Sequence, residues 1–297
     1  MNMKILITGG NGQLAFDCNE VLKKKYEVLS HSHKEMDILD FGQTERIINI
    51  FKPDTILNCA AYTKVDACET EKDLAWKVNV IGPKNLAEIS EKLGCKIIHI
   101  STDYVFSGKK PTPEYYVEDD SPDPLTYYGN TKLEGELAIQ KATNSYAIIR
   151  TAWLYGIRSN NFLKTILKLC SKNPPKGVKV VNDQFGSITW TFKLALQIKK
   201  IIETDGQGTY HATSEGYSTW FEAAEYFLKK FAIPYKVIPC STKEYPTQAR
   251  RPANSILENK RLKQEGINLM NHWENDLEQF FSKFRERLIR DATEANR

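Results

Sequence analysis

Apolar residues fall into two alternating rhythms over the first half of the chain. Lys4-Ile-Leu-Ile-Thr8, Tyr26-Glu-Val-Leu-Ser30, Thr55-Ile-Leu-Asn58, Lys96-Ile-Ile-His-Ile-Ser101 and Tyr146-Ala-Ile-Ile-Arg150 are short, mostly apolar runs. Between them, Gln13 to Lys25, Gln43 to Lys52 and about Asp73 to Leu93 read as helices. Continuous rather than alternating apolar runs suit strands covered on both faces. Strands alternating with amphipathic helices predict right-handed βαβ units, hence an α/β chain with a doubly wound parallel sheet.

The second half is less regular. Asn161 to Leu169 and Phe192 to Glu203 read as helices, Gly177 to Val181 as a strand, and Gly208 to Ala212 as a segment returning to the sheet. Pro111, Pro113, Pro122 and Pro124 mark Lys109 to Pro124 as a surface loop. The last fifteen residues, rich in Arg, Glu and Asn, are expected to form a fraying helix. The expected division is residues 1–152 as a dinucleotide-binding half, with about 178–212 returning to it, and 153–297 mainly as a substrate-binding lobe.

Composition narrows the function. A hydrophobic share of 41% and a charged share of 26% are those of an ordinary globular protein. A net charge of +4, spread along the chain, is too mild to argue for nucleic acid. No stretch approaches the roughly 18 apolar residues of a membrane span, and the N-terminus lacks signal-peptide anatomy. The six cysteines show no Cys-x-x-Cys pair; Cys18, Cys59 and Cys95 read as small buried hydrophobes in a reducing compartment. The expected location is the cytoplasm.

The chemistry begins at Tyr128 and Lys132. Four residues apart on a helix, they share one face, where an ammonium would favour the ionised phenol and lower its pKa. The bland reading is an exposed helix face. Upstream, Thr8-Gly-Gly-Asn-Gly-Gln-Leu-Ala15 follows a strand and opens a helix. Gly9 and Gly12 would let backbone amides approach a pyrophosphate at that helix N-terminus, with Ala15 small enough for close helix–strand packing. The Gly-x-x-Gly-x-x-Ala spacing differs from the usual Gly-x-Gly-x-x-Gly fingerprint. After the second strand, His31, His33 and Lys34 suit a 2′-phosphate better than a bare ribose, unless they are simply solvated. Ala60 and Ala61 leave room for a cofactor beyond the third strand. Ser101-Thr102-Asp103 ends a later strand at the edge where ligands bind in open α/β sheets. Thr102 could bond a substrate oxygen or merely cap a turn.

In that order, these segments resemble the extended short-chain dehydrogenase/reductases. Several more resemble the dTDP-4-dehydrorhamnose reductase family within them. They are Gly9-x-x-Gly-Gln-Leu14, Ala61-Tyr-Thr-Lys-Val-Asp66, Ser101-Thr-Asp-Tyr-Val-Phe106, Tyr128-Gly-Asn-Thr-Lys-Leu-Glu-Gly-Glu136 and Arg150-Thr-Ala-Trp-Leu-Tyr-Gly156. Asn161-Phe162, Asp183-Gln-Phe-Gly186 and Ala249-Arg-Arg-Pro252 with Ser255 and Leu257 extend the likeness over nearly the whole chain. Three departures stand out: Ala15 replaces a glycine, Ile188 a proline, and His31 an arginine found in some relatives.

The resemblance implies a Rossmann sheet with a smaller C-terminal substrate-binding lobe. It also implies reduction of a nucleotide-linked sugar ketone at C4 by NADPH, with NADH as the alternative reductant. Tyr128 would donate the proton, Lys132 hold the nicotinamide ribose, and Thr102 orient the carbonyl. Gly9, Gly12, Gln13, Leu14, Asp37, Ala60, Ala61 and Tyr62 would join Tyr128 and Lys132 around the cofactor. Thr63, Val65, Tyr104, Trp153 and Asn161 would line the sugar-nucleotide pocket, and Arg251 would pair with the diphosphate. Relatives can form homodimers, sometimes with Mg2+; the sequence decides neither and supplies no metal ligands. Two rival readings are a reductase of another keto-deoxysugar and a non-catalytic dinucleotide-binding regulatory subunit. Tyr104, standing where a 4,6-dehydratase carries Glu, argues against dehydration.

Overall fold

The computed structural model describes residues 3–172, 177–231 and 235–294. Five strands joined by four helical crossovers build its first half. β1 (Lys4–Thr8), β2 (Glu27–His31), β3 (Thr55–Asn58), β4 (Lys96–Thr102) and β5 (Tyr146–Thr151) all run parallel. Helices α1 (Gln13–Leu22), α2 (Phe41–Phe51), α3 (Val65–Cys68), α4 (Lys72–Trp76), α5 (Gly82–Leu93) and α6 (Tyr127–Ala142) connect them. Burial alternates as a two-residue repeat requires. Ile5, Ile7, Leu57 and Ile98 face one core, shared with α1. Leu6, Ile56 and Ile97 face the other, shared with Ile48 of α2 and Leu86 of α5. Each fully buried Ile or Leu contributes about 1.5–3 kcal/mol, so two covered faces explain the continuous apolar runs.

The expected single helix over 73–93 is interrupted. Lys77–Ile81 forms a π-helical turn between α4 and α5. The buried Asn79 in this turn accepts from the Tyr62 amide at 2.8 Å and donates to the Tyr62 carbonyl at 3.1 Å and to Thr131 Oγ1 at 3.0 Å. Such one-turn widenings often sit at functional sites, and this one fixes the strand-end segment that follows β3.

Beyond β5 the chain forms β6 (Leu154–Tyr155), α7 (Phe162–Ser171), β7 (Val178–Val181), β8 (Phe185–Gly186) and β9 (Thr189–Trp190). It continues through α8 (Thr191–Glu203), β10 (Gly208–His211), β11 (Ser218–Thr219), α9 (Trp220–Leu228), β12 (Val237–Cys240), α10 (Lys260–Gln264) and α11 (Trp273–Glu294). β10 joins the sheet beside β5, giving the order β10-β5-β4-β3-β1-β2, and α8 supplies Leu194, Ile198 and Ile201 to the α1 core. β7 does not return: it pairs in parallel with β12, outside the main sheet, because its neighbours belong to a second, aromatic-rich core. The C-terminal helix is likewise not frayed over its described length. Leu288 and Ala292 of α11 are buried in that second core, so tertiary packing overrides a polar composition; 295–297 lie outside the described residues.

Candidate active site

The strand order reverses around β1, with β2 on one side and β3 on the other, so the crevice at the carboxyl ends of these strands is where a ligand fits. A cavity of about 940 Å³ opens there. Gly9 turns the chain at φ 68°, a left-handed conformation that favours glycine, and a Cβ there would lie 2.8 Å from the Ala60 nitrogen. Gly12 then opens α1 without a side-chain cap. The first amides of α1 therefore have no partner within the helix and lie beside the cavity, a suitable seat for phosphate. Gln13 reaches across to the Leu154 carbonyl at 3.2 Å, while its Oε1 is buried without a partner.

Of the residues singled out for a cofactor, Gly9, Gly12, Gln13, Leu14, Asp37, Ala60, Ala61 and Tyr62 all line this cavity, together with Tyr128 and Lys132. Asp37 accepts from the Leu39 amide at 3.0 Å and sits 3.5 Å from His33 Nδ1. His33 lines the cavity, whereas His31 and Lys34 do not. Tyr62 donates to Glu71 at 2.7 Å, which pushes its phenol up to about 12.

Thr102 ends β4 and caps the short 3-10 turn Asp103–Val105, accepting from the Tyr104 amide at 3.2 Å. Its hydroxyl donates to Asp103 Oδ1 at 2.9 Å. Burial raises the Asp103 carboxyl from 3.8 to about 6, against hydrogen bonds from Ser255 and Thr102. Tyr128 lies in the first turn of α6, whose N-cap Thr126 accepts from the Gly129 amide at 3.0 Å. Two glycines bring α6 in close. A Cβ on Gly129 would lie 2.1 Å from the Tyr104 carbonyl oxygen, and one on Gly135 would lie 2.2 Å from that of Asn79.

The electrostatic expectation for Tyr128 is overturned. Its phenol is raised, not lowered: burial dominates, the Thr102 hydrogen bond opposes it, and Asp103 and Tyr104 add to the rise. Lys132 is buried too, and burial lowers it from 10.5 to about 8, with Glu136 and Cys59 opposing. Its Nζ turns to the Ile100 carbonyl at 2.7 Å and to His99 Nε2 at 3.1 Å. Burial in one dry pocket shifts both groups toward their neutral forms.

Among the residues expected to hold substrate, Thr63, Val65, Tyr104 and Trp153 line the cavity. Asn161 does not. It is the N-cap of α7, accepting from the Lys164 amide at 3.2 Å and donating to the Gly156 carbonyl at 2.8 Å. Arg251 also stands behind the wall, bound to Asp66 at 2.6 Å and to the Tyr104 hydroxyl at 3.3 Å. Trp220 was not foreseen. It lines the cavity and stacks on Trp153 with centroids 3.6 Å apart, while Trp153 itself adopts φ 49°, a strained value for a bulky residue. The Thr219–Glu222 capping box marks where the Trp220 helix starts, but nothing local says what that ring faces. Among the described residues, no cluster of three His, Cys, Asp or Glu side chains could hold a metal, and no helix is long and apolar enough to cross a membrane.

Residues 3–286 match the family model of the RmlD substrate binding domain. The chain is 39% identical over 276 residues to dTDP-4-dehydrorhamnose reductase of Aggregatibacter actinomycetemcomitans, covering 88% of this chain and 92% of the relative. It is 37% identical over 281 residues to the spore coat polysaccharide biosynthesis protein SpsK of Bacillus subtilis (strain 168), covering 94% and 97%. The fold is similar to the crystal structure of dTDP-4-dehydrorhamnose reductase from Bacillus anthracis str. Ames in complex with NADP. The TM-score is 0.92 at 40% identity, over 95% of this chain and 100% of that one.

Proposed function

The chain belongs to the RmlD substrate binding domain family, and on that premise we propose that it reduces the C4 ketone of dTDP-4-dehydrorhamnose (dTDP-4-dehydro-6-deoxy-L-mannose) to dTDP-L-rhamnose. The observation that carries this reading is the meeting of Thr102, Tyr128 and Lys132 with the Gly9–Gly12 loop in one cavity. NADPH is the proposed reductant, in keeping with the NADP held by the Bacillus anthracis relative. Gly9, Gly12 and the first turn of α1 would hold its pyrophosphate, Ala60 and Ala61 would leave it room, and Asp37 and His33 would border its adenosine end. When bound, it supplies the hydride.

The protein's own part is positional and protonic. Tyr128, held as a neutral phenol, gives its proton to the ketone oxygen as the alcohol forms. Thr102 steadies that oxygen from the end of β4. Lys132 stands one turn along α6, where it can return a proton to the Tyr128 phenolate. The stacked Trp153 and Trp220, with Tyr104, offer aromatic faces to the sugar nucleotide. We assign residues 1–152, joined by α8 and β10, to the cofactor side and most of 153–297 to the substrate side. Six free cysteines suit a reducing cytoplasm.

The test is to mix pure protein with the keto-sugar nucleotide and either NADPH or NADH, and to follow the loss of reduced-cofactor absorbance. Consumption of NADPH that depends on the ketone is expected. Absence of turnover with both cofactors would sink the reading.

A further inference from the structure

Arg251 has no part in the chemistry described above, yet both of its terminal nitrogens are engaged. Nη2 donates to Asp66 Oδ2 at 2.6 Å, and Nη1 donates to the Tyr104 hydroxyl at 3.3 Å. The other Asp66 oxygen accepts from the Ala249 amide at 2.9 Å, so the loop that carries Arg251 also fixes the carboxylate. These contacts join α3, the turn after β4 and the 249–252 loop. Gly108, at φ 69°, lets the last two meet, because a Cβ there would lie 2.5 Å from Pro252 Cβ.

Donor and acceptor counting leaves one proton to place. A guanidinium only donates, so the Tyr104 oxygen is the acceptor in its contact with Arg251. Burial pushes the Tyr104 phenol up to about 12, with the Arg251 charge opposing, so the phenol keeps its own proton at neutral pH. Among the described residues, no acceptor receives that proton; the contact with Arg251 is the one hydrogen bond of this hydroxyl. Tyr104 lines the cavity, and its ring meets the Tyr128 ring edge-on with centroids 5.5 Å apart. Neither Asp66 nor Arg251 lines the cavity.

We propose that Arg251 is a positioning residue that serves the nucleotide sugar at one remove: it holds the Tyr104 oxygen as an acceptor, so that the phenol turns its proton to an oxygen of the ligand in the cavity. Asp66 keeps the guanidinium in place, since direct contact with the ligand would give up a charge-assisted bond of 2.6 Å. A phenol that accepts from a cation is also polarised into a better donor. The identity of the ligand rests on the reductase reading; the chain from Asp66 through Arg251 to Tyr104 does not.

A double-mutant cycle on the affinity for dTDP-L-rhamnose, read by calorimetry, tests the proposal. Arg251→Gln should weaken binding about fivefold, the worth of one hydrogen bond. Arg251→Lys keeps a charge beside Asp66 but lacks the fork that spans two partners, and should show the same loss. In the Tyr104→Phe background, either change should cost less than about twofold. A full fivefold loss in that background would make Arg251 a direct ligand or a staple between loops and overturn the proposal, as would unchanged affinity in both single variants. The 13Cζ resonance of Tyr104, assigned by its loss in Tyr104→Phe, gives a second reading. It should move in ligand-free Arg251→Gln, and in wild type when dTDP-L-rhamnose is added; a resonance fixed in either case overturns the proposal, as does wild-type protein that does not bind dTDP-L-rhamnose. Wild-type protein that meets these expectations yet turns over no ketone would overturn the reductase reading alone.

Discussion

Tyr128 occupies a pocket that favours its protonated form, since burial raises the phenol and the Thr102 hydroxyl is the main opposing group. In the proposed reaction that proton is held ready until the ketone oxygen gains charge. Tyr128→Phe removes the proton and little else. Its affinity for NADPH, read by fluorescence titration, should stay within about twofold, while turnover falls by at least about 10²-fold. Near-normal turnover would refute the assignment. Asp103 makes a second test. Its carboxyl rises from 3.8 unfolded to about 6 folded, so its stabilising contribution is full below the lower value and is lost as pH rises through the upper one. Asp103→Asn cannot ionise. In urea unfolding its stability relative to wild type should climb between about pH 4 and pH 6, by up to about 3 kcal/mol, and then level off; a flat difference would contradict the shift. The Tyr128–Lys132 pairing was legible because helical spacing is local. The state of Lys132 was not, since Ile100 and His99 approach it from a strand 32 and 33 residues away.

At the scale of elements, α6 is set by what its glycines omit. Gly129 touches the Tyr104 carbonyl and Gly135 the π-turn carbonyl of Asn79, both closer than any side chain tolerates. Gly129→Ala must push α6 from the Asp103–Val105 turn that follows β4, which should cost about 1–3 kcal/mol in urea unfolding and lower kcat more than it raises KM. Wild-type stability and kcat would contradict that packing. The strands and most helices of the first half were readable from period, because β1, β3, β4 and β5 are covered on both faces. Other features depend on distant partners. The π-turn answers to Tyr62 and Thr131, β7 to β12, and the Trp220 ring to Trp153. Asn161 and Arg251 illustrate the converse: their residue types suit a ligand, yet a helix cap and an ion pair with Asp66 employ them.

Across the whole molecule, the cavity lies where the parallel sheet meets the second core. Gln13 reaches β6, Arg251 reaches Asp66 over 185 residues of sequence, and α8 with β10 returns the chain to the first core. The walls proposed for cofactor and for substrate therefore line one cleft, with Thr102 and Tyr128 on it. The claim that this cleft carries hydride to C4 while Tyr128 supplies the proton is tested most directly by isotope transfer. The protein is incubated with dTDP-4-dehydrorhamnose and NADPH deuterated at the transferable position, and the product is read by NMR. The account predicts dTDP-L-rhamnose carrying deuterium at C4. Unlabelled product, deuterium in the C4 epimer, or no product at all would contradict it.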